Sequence, residues 1–145
     1  MFFYQTGQIV PGTLLSIGLA SGLGVTASPA ITAFVEKAEL ASLTYAQSAL
    51  KSSLQINHLL SRLSSNKLII DGREVTLKFG YPIADKNELE KVASFGTQEL
   101  INSAPDTVII SSPYKSWCFV YKAADNTKPA EISEILMGTN SICKY

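Results

Sequence analysis

Residues 9 to 35 read IVPGTLLSIGLASGLGVTASPAITAFV, a stretch without a single charged side chain. A helix needs about 20 mostly apolar residues to cross a bilayer core, so the length suffices. The composition is soft. Gly12, Gly18, Gly22 and Gly24, with several Ser and Thr, weaken a helix in water. Among packed helices the same small residues permit close approach, and Gly18 and Gly22 have the spacing of a GxxxG pair. The expectation is a helix that sits in a membrane in one state and among like helices in another.

Outward from this stretch, the charges begin at Glu36, and all 24 of them fall between there and the end of the 145-residue sequence. Lys plus Arg equals Asp plus Glu at 12 each, so no basic excess exists to neutralise phosphates, and nucleic acid is not an expected partner. The lead MFFYQTG lacks the positive region of an ordinary secretory signal.

After Pro29 the pattern becomes amphipathic. Phe34, Ala38, Ala41, Tyr45, Ala49, Ser52, Ile56, Leu59 and Leu63 recur at spacings of three or four, which predicts one buried helix face. Glu36, Lys37, Glu39, Lys51 and Arg62 lie off that stripe. One helix over residues 13 to 64, kinked at Pro29, would span about 75 Å.

The remainder predicts an α+β head. Leu68–Ile70 leads into the turn dipeptide Asp71-Gly72, and Val75, Leu77 and Phe79 alternate as a half-buried strand. Residues 86 to 93 and 97 to 103 read as short helices. Residues 107 to 111 and 117 to 122 read as strands, and 131 to 137 as a further one. The expected architecture is one long helix on an antiparallel sheet of about four or five strands.

Cys118 and Cys143 admit a disulfide, half of a metal site or two free thiols. The metal reading is weak, because there is no CxxC and the one histidine, His58, is distant in sequence. A membrane-inserting front end points to export and so to the disulfide.

No nucleophile elbow, phosphate loop or HExxH motif occurs, and no cofactor or enzymatic activity is expected. His58 reads as a surface or interface residue, Asp71 as a turn residue, and Glu88, Glu90 and Lys91 as solvated helix charges. Trp117 and Tyr121 read as core. Tyr114 lies in residues 111 to 116, expected to be an exposed loop.

An uncharged start, a kink proline, an amphipathic stalk, a small sheet and a C-terminal cysteine pair together resemble a type IV pilin. The nearest resemblance is to the mannose-sensitive haemagglutinin group. It rests on VTASPAITAFVEKAELASL (25 to 43), IIDGREVTLKFGYPIADKNELEKV (69 to 92) and CFVYKAADNTKPAEISEILMGTNSIC (118 to 143). The resemblance implies a pilin fold with a Cys118–Cys143 disulfide loop. It implies a leader over residues 1 to 7 cleaved between Gly7 and Gln8, a membrane and filament-core helix over 8 to 35, and a head over 36 to 145. Gly12, Gly18, Gly22, Gly24 and Pro29 would form the core and kink of that helix.

The implied function is a filament subunit for attachment or motility. The chain would rest in the bacterial inner membrane before prepilin peptidase and an assembly machine build it into an extracellular homopolymer. Host or surface glycans would be partners of its exposed loops. The start departs from the family pattern. The lead has no Lys or Arg, Gln8 replaces a phenylalanine, and Gly12 stands where the family has a glutamate. A minor pilin, a type II secretion pseudopilin and a membrane-anchored periplasmic binding module are the alternatives.

Overall fold

The computed structural model describes residues 28–63 and 67–143. The chain divides into two compact units, Met1–Val35 and Glu36–Tyr145. In the first, the described residues belong to helix α1 (Ser28–Ser61), and Ile31 and Phe34 are exposed there. Pro29 lies in the first described turn. The kink expected there involves the turn before it, which lies outside the described residues.

Among the described residues, the second unit holds the remainder of α1, eight strands, a second α-helix and a C-terminal 3₁₀ turn. Strands β1 (Lys67–Ile70), β2 (Arg73–Lys78) and β3 (Tyr81–Pro82) form a three-stranded antiparallel sheet. Asp71 and Gly72 both take positive φ (47° and 75°), the conformation a two-residue hairpin loop needs to match strand twist. Val75 and Leu77 are buried as the alternation predicts. Phe79 is not: it sits at φ 55° beside Gly80, and the chain reverses there before it could point inward.

Helix α2 (Lys86–Val92) starts where Asp85 accepts the amide hydrogens of Asn87 and Glu88. It buries Leu89. Strands β4 (Glu99–Ala104), β5 (Thr107–Ser111), β6 (Trp117–Lys122), β7 (Glu131–Ile132) and β8 (Leu136–Met137) form a five-stranded antiparallel sheet. Both β7 and β8 pair with β6, at opposite ends of it.

The two faces of this sheet are occupied differently. Val108, Ile110, Phe119 and Tyr121 pack with Leu43, Ala46, Leu50 and Leu54 of α1. Burying a side chain such as Leu50 in this way contributes about 1.5–3 kcal/mol. On the opposite face Ile109, Cys118 and Cys143 form a second cluster, with Val120 and Leu136 against it. The Tyr121 hydroxyl donates to the carbonyl of Pro82 at 2.6 Å and so ties the two sheets together. Burial pushes its phenol well above the usual tyrosine range.

Four expectations require correction. The single sheet is two sheets. Residues 97 to 103 are not a helix, since most of them form β4, paired along β5 from Glu99↔Ser111 to Ala104↔Thr107. The strand expected over 131 to 137 is two short strands separated by residues 133 to 135, where the Ser133 hydroxyl accepts the Val120 amide hydrogen. Finally, the buried face of α1 is not the one the spacing picked out. Glu39, Leu43, Ala46, Gln47, Leu50, Leu54 and Asn57 face inward, whereas Tyr45, Ile56 and Leu59 face solvent, as does Leu63 just past the helix end. At 3.6 residues per turn Leu43 and Tyr45 lie about 200° apart, so the helix carries two apolar stripes. The head takes the one richer in leucine.

Candidate functional site

Two of the residues singled out in the sequence come together directly. Cys118 of β6 and Cys143 of a C-terminal 3₁₀ turn (Ser141–Cys143) are disulfide-bonded, with Cα atoms 6.0 Å apart. No free cysteine is present. Gly7, Gln8, Gly12, Gly18, Gly22 and Gly24 lie outside the described residues, as does most of the charge-free stretch. Among the described residues no helix is long and apolar enough to cross a membrane, and no cluster of acidic, histidine or cysteine side chains could hold a metal ion.

Among the described residues, α1 carries a stripe of exposed apolar side chains. Tyr45 is 72% exposed, with Ile56 and Leu59 further along, and Leu63, in the turn just past α1, is 85% exposed. Exposed apolar side chains are common singly. Repeated along one helix face they make that face a candidate contact surface. Ile69 of β1, 74% exposed, lies close by, because it lines a groove with Ile56 and Leu60.

On the other flank of the stripe is a cleft of about 630 Å³. One wall is α1, which presents Lys51, Leu54, Gln55, His58 and Leu59. The other is Tyr81, Pro129, Ala130 and Ile132. The His58 ring stacks on Tyr81, with centroids 4.6 Å apart and planes 14° from parallel. Gly80 makes this possible. Its φ is +83°, and a Cβ there would come within 2.8 Å of His58 Nδ1 and 2.5 Å of Ser61 Oγ. The spacing 51, 55, 58 along α1 carries the helix wall in the sequence; nothing local announces that residues 129 to 132 would face it.

The 111–116 segment is more constrained than a free loop. Ser111 and Ser112 are buried, and only Pro113, Tyr114 and Lys115 stand out. Glu39 of α1 accepts the Tyr114 amide hydrogen, and the Ser112 hydroxyl accepts that of Trp117. Tyr121 lies in the core and Trp117 packs against it, as their strand positions predict.

The acidic residues of α2 divide. Glu90 is exposed, but Glu88 is not a solvated charge: it takes the Thr76 amide hydrogen at 2.7 Å and pairs with Lys91 at 2.6 Å. It thereby fastens α2 to β2. Asp125 lies in an exposed loop, where the hydroxyl and amide of Thr127 and the amide of Lys128 hold its carboxyl down at about 2.

No protein-family model, curated protein or solved structure matches the chain.

Proposed function

We infer that the chain is a structural subunit of a type IV pilus of the mannose-sensitive haemagglutinin kind. It polymerises through its N-terminal helix into an extracellular filament serving attachment or motility. The observation that carries this reading is the second apolar stripe of α1. A helix that buries one stripe in its own head and leaves another in water suits a subunit completed by its neighbours. The α+β head and the C-terminal disulfide support the same reading. So does the charge-free stretch before Glu36, which can exchange lipid for like helices.

On this reading the subunit catalyses nothing. Its partners are further copies of itself, the inner membrane before assembly, and the peptidase and assembly machine that process and extract it. The test is electron microscopy of filaments sheared from the cell surface, with mass identification of their subunit. Filaments containing this chain are expected. Recovery of the chain only as a monomer in the inner-membrane fraction would instead favour an anchored periplasmic module.

A further inference from the structure

The cleft beside His58 has an uneven chemistry. Its sheet wall offers apolar surface from Tyr81 and Ile132, whereas its helix wall offers Lys51, Gln55 and His58 around Leu54. Lys51 is exposed, and none of the ion pairs among the described residues involves it. Glu131 is next to Ile132 on β7, but alternation along the strand turns it to the other face. Among the described residues, the only formal charge lining the cleft is therefore positive.

His58 adds direction. Its Nδ1 is buried against Gly80 with no hydrogen-bond partner, so Nε2 is the polar edge the ring can offer a ligand. In the neutral tautomer protonated at Nε2 that edge is a donor. A cation, an amide and an imidazole donor on one wall, facing apolar surface on the other, complement a molecule with an acceptor at one end and an apolar body. The cleft's volume, about 630 Å³, falls within the range of small-ligand sites.

We propose that this cleft binds a small apolar carboxylate, its head held by Lys51 and His58 and its aliphatic or aromatic body laid against Tyr81 and Ile132. Every residue that would touch the ligand belongs to one subunit, although Leu59 at the cleft's edge is shared with the exposed stripe.

The test uses the full chain in phosphatidylcholine nanodiscs with carbon-13-labelled isoleucine methyl groups. The probes are 3-phenylpropionate, 3-phenylpropanol and 3-phenylpropylamine, which share a body and differ in charge. The propionate should move the Ile132 methyl resonance saturably, at lower concentration than the other two, and leave Ile110 in the core unmoved. Lys51→Met should weaken the propionate by about tenfold, the loss of one charge-assisted contact. Lys51→Glu should turn the preference to the amine. Equal saturation by all three probes would overturn the proposal, as would no shift at Ile132 or an unchanged affinity in Lys51→Met. A shift that moves Ile110 as much as Ile132 would also count against it.

Discussion

Glu39 Oε1 accepts the backbone N–H of Tyr114 across 3.1 Å, so one carboxylate of the long helix holds the turn between β5 and β6. Its second oxygen is buried and has no partner. Glu39→Ala should leave the Tyr114 amide unpaired and lower stability by about 1–3 kcal/mol. Glu39→Gln keeps an acceptor and should recover much of that loss. Hydrogen exchange at Tyr114 distinguishes the two: it should accelerate in the alanine variant and stay slow in the glutamine one.

The two stripes of α1 should separate in mutagenesis. Leu50 is fully buried, and Leu50→Ala should cost about 2–5 kcal/mol. Tyr45→Glu and Leu63→Glu alter only exposed positions and should change head stability by less than about 0.5 kcal/mol. On the filament reading they should nonetheless abolish assembly. Chemical denaturation together with filament yield measures both. Normal filament yield in the two charged variants would contradict the role given to this stripe.

Glycine substitutions should fall in a definite order. At Gly138 a Cβ would run into the Lys115 carbonyl, which is backbone and cannot swing aside. At Gly80 it would meet two side chains, which can move, although the positive φ remains unfavourable for alanine. Gly138→Ala should therefore lower the denaturation midpoint more than Gly80→Ala. Adding Ser61→Ala should relieve Gly80→Ala only in part.

The Asp125 loop should give a visible acid limb. Its carboxyl is held at about 2 when folded against an ordinary value of 3.8, so its contribution is full above about 4 and is lost as the pH falls toward 2. The stability difference between the parent chain and Asp125→Ala should narrow over that interval and stay constant above it. Denaturation midpoints from pH 2 to pH 6 would show this. A difference independent of pH would contradict it.

Reducing the disulfide should matter more than any of these loop changes. Its cysteines are 25 positions apart, and closing a loop of that length is worth about 3–4 kcal/mol in the chain-entropy account. Mass mapping without reductant should recover Cys118 joined to Cys143. Cys118→Ser with Cys143→Ser should lower the denaturation midpoint in step.

Where local chemistry decides the structure, the sequence was readable. Asp71-Gly72 dictates its own hairpin, and the short helix expected over residues 86 to 93 is α2. The runs TVIIS and WCFVYK are apolar enough to be central strands under any arrangement. The failures share a different cause. Residues 97 to 103 contain Gln98, Glu99 and Leu100, all good helix formers, and become a strand only because β5 offers a partner edge. The phase of α1 depends on which of two apolar stripes the sheet accepts, a choice made by Phe119 and Tyr121 far along the chain. The cleft was half legible. The spacing of Lys51, Gln55 and His58 places them along one side of the helix, while its facing wall comes from residues more than twenty positions further on.

The bond between Cys118 and Cys143 also sets how the head would behave under load. It closes a covalent ring over the C-terminal end of the chain, and the segment inside that ring cannot be drawn out by force. At about 3.4 Å per residue, some 85 Å of extension is withheld from a subunit pulled beyond its yield point. A fibre built from such heads would stiffen sooner and lengthen less than its residue count suggests. In single-molecule stretching, reductant should restore the missing length in one step.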